Sequence, residues 1–193
     1  MISPTVRGEI LVCQFPQAPA LECSTNGLTV ARSPMACLDA AVTRKYAGIL
    51  IYFAARKIKA RDTLVELCSD LNEIPITCST RKCVSLLCRN RNLLVKLKES
   101  GVEYVDIRLP TGSADPWSMW ERLNALESSL RIDFHLSRLC PFLRYKPISD
   151  QNEMITCAAY RNRMVLGGRR LRDVCQSEAY LQCEFYLNPR TNT

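Results

Sequence analysis

Histidine is almost absent. His135 is the only one in 193 residues, so a site with several metal ligands has to be built from sulfur or carboxylate, and no histidine-supported nucleophile is expected. Glycine is sparse as well, with seven in the chain. Gly167-Gly168 before Arg169 reads as a turn, and neither a phosphate loop nor a dinucleotide fingerprint can be traced. With no catalytic constellation in view, the chain does not read as an enzyme. No run of eighteen apolar residues occurs, so no transmembrane helix is expected. The stretch from Met1 to Glu9 lacks a basic segment followed by an apolar one, which argues against a signal peptide and for a cytoplasmic setting.

Cysteine, by contrast, is abundant. An odd total of eleven cannot pair completely, and without secretion they do not read as a disulfide framework. The hydrophobic fraction of 47% suits a globular protein, and the net charge of +7 permits an anionic partner without requiring one.

Up to residue 110 the chain alternates between strand and helix patterns. Residues 9–14 and 28–32 read as strands, and Ser33-Pro34 as the cap and first position of a helix running to about Tyr46. That helix is expected to set Met35, Leu38, Ala41 and Val42 on one face. Residues 47–53 are continuously apolar, as a central strand covered on both faces should be. A helix over 61–72, a strand over Ile76–Ser79, a helix over 91–100 and a strand over 102–108 follow. The pattern predicts an α/β fold: an open parallel sheet of about five strands flanked by helices.

This stretch resembles a response-regulator receiver domain over roughly residues 8–110. The likeness rests on the helix-to-strand run from Asp39 to Phe53, on Glu73-Ile74-Pro75-Ile76-Thr77, and on Ser100-Gly101-Val102-Glu103-Tyr104-Val105. The resemblance implies a site of acidic residues ending the first strand and a phosphoacceptor aspartate ending the third. Here those places hold Gln14-Phe15 and Tyr52-Phe53. The lysine expected after the last strand has only Arg108 nearby. Aspartyl phosphorylation needs a carboxylate nucleophile and carboxylate-held magnesium, so the resemblance implies a pseudo-receiver serving as a docking or dimerisation platform.

Cys13, Cys37, Cys68 and Cys78 fall on predicted strands or apolar helix faces and read as small core residues. Cys23 lies in a loop segment. Cys83 and Cys88, five residues apart in a segment read as helix or loop, do not share a helix face, so a second metal site is not expected there. The basic stretch Arg81, Lys82, Arg89, Arg91, Lys96 and Lys98 reads as a solvated face; no aromatics interleave with it as a nucleic-acid surface would favour.

Residues 111–116 change composition and read as a linker to a second unit, 117–193, expected to be smaller and mainly helical. Its first helix, about 117–132, carries Trp117, Trp120, Leu123, Leu126 and Leu130, a stripe suited to packing on the sheet or on a partner helix. The last four cysteines, Cys140, Cys157, Cys175 and Cys183, are separated by sixteen, seventeen and seven residues. Structural zinc sites usually draw ligands in close pairs from one tight turn. Four dispersed thiolates suit the separated corners of a [4Fe–4S] cluster better. Zinc and a metal-free module stay open as alternatives. Phe142, Tyr160, Val174, Tyr180, Phe185 and Tyr186 are placed to shield such a centre, and Arg161, Arg163, Arg169, Arg170 and Arg172 to balance its negative charge. His135 is an alternative ligand near Cys140, although it reads more readily as an ordinary packed or exposed residue.

The stretch resembles a four-cysteine module at the ends of uncharacterised prokaryotic proteins. Its marks are the Cys140-Pro141 start and the Cys175–Cys183 finish followed by Phe185-Tyr186. The resemblance implies an iron–sulfur site. The expected function is a redox-sensing or electron-relay accessory subunit of a larger protein complex. The alternatives are an adaptor with zinc or a static cluster, docking through the α/β domain, and a nucleic-acid-binding redox regulator.

Overall fold

A computed structural model describes residues 8–18, 26–54, 57–107, 115–161 and 163–190. Cys23, Arg108 and most of the expected linker lie outside these residues.

Five parallel strands, β1 (Ile10–Gln14), β2 (Leu28–Ala31), β3 (Gly48–Phe53), β4 (Arg81–Leu86) and β5 (Tyr104–Ile107), form one sheet in the order β2-β1-β3-β4-β5. This is a doubly wound order, compatible with a receiver-like fold. Every residue of β3 is buried, and its side chains alternate between two cores. Ile49, Ile51 and Phe53 enter one, while Leu50 and Tyr52 enter the other. That is the period-two consequence of a strand covered on both faces.

The first core is closed by α1 (Pro34–Thr43), α2 (Ile58–Glu73) and α3 (Arg91–Glu99), through Cys37, Leu64, Leu67, Cys68, Leu71, Leu93, Leu94 and Leu97. Fully burying a leucine is worth roughly 1.5–3 kcal/mol, so these rows hold the helices on the sheet. Ser33 caps α1 by accepting from the Ala36 N–H at 3.1 Å, with Pro34 beginning the helix, as the sequence indicated. The buried face of α1 is Cys37 and Ala41, however; Met35 and Val42 point outward and are exposed.

The opposite core is closed by α4 (Pro116–Asn124), capped by Asp115, whose carboxylate accepts from the N–H groups of Trp117 and Ser118. Met119, Leu123 and Leu130 pack there with Trp117 and Trp120 at its margin. A Cβ on Gly48 would lie 2.1 Å from the Trp120 ring, so the glycine that opens β3 is what lets α4 cross so closely. The helix expected over 117–132 stops at Asn124, and Leu126, at φ 53°, is exposed. A short 3₁₀ turn (Ser128–Leu130) and α5 (Ile132–Ser137) follow.

The strand expected over Ile76–Ser79 is a run of turns, and the strand itself begins five residues later, at Arg81. Thr77 stabilises the turns, its hydroxyl donating to the Leu71 carbonyl at 2.6 Å. Lys82, inside β4, is buried, and its ammonium donates to the carbonyls of Thr77 at 2.7 Å and Thr80 at 3.2 Å. Burial pushes its pKa below the usual lysine value. Charge at the head of the strand masked the apolar run behind it. Cys83 accordingly sits in β4, buried in the second core, and not in a helix or loop, while Cys78 is in an exposed turn and not in a strand.

Past α5 the chain is less helical than expected. It forms an antiparallel sheet of β6 (Leu143–Pro147), β7 (Glu153–Cys157) and β8 (Met164–Val165), followed by short helical turns. Alternation in Leu143, Tyr145 and in Ile155, Cys157 supports the strands. The conspicuous cysteines and arginines of the region hid this weak signal. Among the described residues no helix is long and apolar enough to cross a membrane.

Candidate metal centre

The four C-terminal cysteines arrive on four separate pieces of chain. Cys140 follows α5, and its N–H donates to the Cys175 carbonyl at 2.9 Å, which ties the first and third segments together. Cys157 ends β7 and stands in register with Leu143 of β6 and Met164 of β8. Cys175 closes a π-helical turn, Leu171–Cys175. Cys183 precedes the last short helix, Glu184–Leu187.

Cys140, Cys157 and Cys175 are buried in one apolar core with Leu143, Ala159, Leu166 and Tyr180; Cys183 is half-buried. All six residues expected to shield the centre belong to this core or pack against it. Tyr180 and Tyr186 meet edge to face at 5.0 Å, and Tyr160 lies 4.9 Å from Phe185. The Tyr180 hydroxyl donates to the Ser137 carbonyl at 2.9 Å, linking this shell back to α5.

The thiols influence one another electrostatically. Burial pushes the Cys175 thiol up from 9.0 to about 11, and negative charge on Cys140, Cys157 or Cys183 pushes it the same way. Cys140 is also raised, by burial first and then by Cys157 and Cys183. Four thiolates in such a pocket repel one another unless a cation stands among them. Among the described residues, however, no group of three or more His, Cys, Asp or Glu side chains is arranged to hold a metal ion.

The arginines divide. Arg170 directs its Nη2 at the Cys183 sulfur, 3.9 Å away, and covers the Phe185 ring at 5.3 Å. Its charge lowers the Cys175 pKa against the effects of burial. Arg161, Arg163, Arg169 and Arg172 are exposed. His135 is buried and turns to the sheet, its Nε2 lying 2.9 Å from the Val105 carbonyl, and burial pushes its pKa down.

The seat of the module escaped the sequence reading. The loop and helix start after β4, Arg89-Asn90-Arg91, hold three of the four cysteine segments. The Arg91 guanidinium donates to the carbonyls of Leu136 and Leu139, at 3.0 and 2.9 Å, just before Cys140. Arg89 and Gln176 exchange two hydrogen bonds, one residue past Cys175. Asn90 donates at 3.1 Å to Glu153, the residue that opens β7, and Glu153 also pairs with Arg61 of α2. The turn ahead of β7 meets the head of α2, where the Ile58 N–H donates to the Asp150 carbonyl at 2.8 Å. The β6–β7 hairpin thus lies over the carboxyl ends of β3 and β4, the edge where open α/β sheets usually bind ligands. What could have flagged this is a polar group at each helix start, Asn90 above all, which also caps α3 by accepting from the Leu93 N–H at 3.0 Å.

The cysteines of the first core form no part of this centre. Cys13, Cys37 and Cys68 are fully buried together in the first core. Contact with Cys37 and burial push the Cys13 thiol far up, and burial raises Cys68 to about 12. Such thiols are inert core residues.

A search against protein-family models returns no match. A search of curated proteins likewise returns none.

The raised thiols make a pH prediction for metal-free protein. A folded-state pKa above the unfolded value means that the fold favours the protonated thiol. The stability from Cys175 is therefore intact below its ordinary value of 9.0 and lost as pH rises toward about 11. Melting temperature in reducing buffer is expected to fall over that range, and to fall less in Cys175→Ala. Equal slopes in the two proteins would contradict the assignment.

Proposed function

We propose that this is an iron–sulfur protein in which Cys140, Cys157, Cys175 and Cys183 hold a [4Fe–4S] cluster. It would act in redox sensing or electron relay as an accessory subunit of a larger assembly. One observation carries the reading: Cys140, Cys157 and Cys175, far apart in sequence, are buried in one apolar core, and the Cys140 and Cys175 thiols are raised by burial and by neighbouring thiols, the half-buried Cys183 among them. The donor chemistry fits, since cysteine thiolates are the ordinary ligands of such clusters. A single zinc ion needs four sulfurs at roughly 2.3 Å from one point, usually delivered in close pairs, whereas these four come singly from separate segments of chain. A cubane takes one thiolate at each of its separated irons.

When bound, the cluster would supply one-electron transfer. The protein's part is to present four thiolates, exclude water with Phe142, Tyr180 and Tyr186, and place Arg170 beside Cys183 to offset negative charge. In this reading the α/β domain is a pseudo-receiver. Gln14 and Phe53 end β1 and β3 where a phosphorylated receiver needs carboxylates, and the β6–β7 hairpin covers the neighbouring strand ends. The cysteine unit is then drawn from Cys140, because α4 and α5 pack with the sheet.

The test is anaerobic purification followed by iron, zinc and sulfide analysis and a visible spectrum. About four iron and four sulfide per chain, with a broad band near about 400 nm, are expected. One zinc and no colour would replace this reading with the structural adaptor. Protein without metal or sulfide, after attempted reconstitution, would end it.

A further inference from the structure

Beside the cysteine core, and sharing Tyr160 with it, lies a cavity of about 190 Å³ lined by Tyr160, Arg161, Arg163 and Arg190. Three of these residues are arginines, and no carboxylate lines the cavity among the described residues. Arg161 and Arg163 make no side-chain ion pair or hydrogen bond among the described residues. Among the described residues the Arg190 guanidinium has the face of Tyr160 as its partner, 6.0 Å from the ring centroid. Like charges lining one cavity repel one another, and a bound anion would relieve that repulsion.

The backbone builds the arrangement. The Arg163 N–H donates to the Tyr160 carbonyl at 2.9 Å, closing a tight turn past β7. Arg161 stands in that turn at φ 49°, a conformation that glycine or asparagine adopts more cheaply than arginine. Arg190 is brought in from the far end of the chain by its N–H, which donates to the Ala159 carbonyl at 2.7 Å. A strained arginine, a second one two residues on and a third tied in by backbone pairing therefore converge on one hollow.

We propose that this cavity binds a phosphate dianion, either inorganic phosphate or the terminal phosphate of a small ester. Guanidiniums present paired N–H donors that match tetrahedral oxyanions, and three of them suit a doubly charged group better than a singly charged diester. The ring of Tyr160 is already engaged by Phe185 at 4.9 Å and by Arg190. A nucleobase would have to displace those contacts to stack there, so the phosphate itself is taken as the recognised group.

The experiment is calorimetric titration of the full chain at constant ionic strength. The probes are inorganic phosphate, adenosine monophosphate, and a dinucleotide whose only phosphate is an internal diester, with chloride as the background anion. Inorganic phosphate and the monophosphate are expected to bind, and the diester at least about tenfold more weakly. Inorganic phosphate alone would mark the free ion as ligand; tighter binding of the monophosphate would mark an ester. Arg163→Gln and Arg190→Gln are each expected to weaken binding about tenfold, and Arg161→Asn, which suits the turn, by a similar factor. Circular dichroism checks that each variant folds, and Arg190→Gln decides if the turn variants do not. Equal binding of diester and monoester, variants that bind like the parent, or no binding above chloride would each overturn the proposal.

Discussion

Replacing Cys175 by serine is expected to abolish the iron and sulfide content of the purified protein, together with its visible absorption. Cys175 is the thiol on which the other three all act. It is buried, its carbonyl accepts from the Cys140 N–H, and its pKa responds to the other three. A serine there removes the soft anionic ligand that would hold iron in the proposed cluster, while its similar size leaves the apolar packing of Tyr180 and Leu166 largely in place. Cys140→Ser and Cys157→Ser are expected to act alike, because both side chains are buried in the same core. Cys183 is half-buried and approached by Arg170, so Cys183→Ser should leave the smallest deficit of the four. The contrast is with the thiols of the α/β core. Cys37→Ser and Cys68→Ser place a hydroxyl in an apolar site and should lower stability by roughly 1–3 kcal/mol, yet leave metal content per folded chain unchanged. Iron analysis beside a denaturant titration separates the two groups. Loss of iron from Cys68→Ser, or its retention in Cys175→Ser, would show that the wrong cysteines had been chosen.

How far the sequence reached can be argued from particular strands. The apolar run 48–53 and the Ser33-Pro34 cap were legible because each follows from a local rule: burial on both faces, and satisfaction of a helix's first N–H groups. β4 was misplaced because Lys82, which a local rule assigns to the surface, is buried only by virtue of the carbonyls of Thr77 and Thr80. No local rule carries that information. The same holds for the candidate site. The four cysteines stood out by residue type, and the aromatics around them by proximity in sequence. That Cys140, Cys157 and Cys175 share one core depends on the β6–β7–β8 sheet and on the π-helical turn ending at Cys175, neither of which announces itself in composition. The arginines misled in the other direction. Arg89 and Arg91 read as solvated charge and are structural, whereas only Arg170 of the five near the cysteines touches a thiol.

The seat of the module leads to the second large effect, which concerns Glu153. Its carboxylate receives the Arg61 guanidinium and the Asn90 amide, and the Arg61 and Glu153 side chains are only 16% and 14% exposed. Glu153→Ala leaves a mostly buried guanidinium without its counter-ion and Asn90 without its acceptor. Breaking such a pair from one side costs roughly 3 kcal/mol, on the order of 10 °C in melting temperature for a chain of this size. Glu153 opens the strand that Cys157 ends, so the loss should also loosen the cysteine core. Amide exchange in β7 is expected to rise more than in β1 or β3, whose ladders lie wholly within the parallel sheet. Arg91→Met tests the same seat independently. It removes both donors to the Leu136 and Leu139 carbonyls while keeping a long apolar stem. If the loop after β4 positions the metal ligands, both variants should bind iron less tightly at temperatures where their α/β domain is still folded, and a chelator should strip the iron faster. A uniform loss of stability across both parts, with unchanged chelation relative to the folded fraction, would reduce Arg91 and Glu153 to ordinary interface residues.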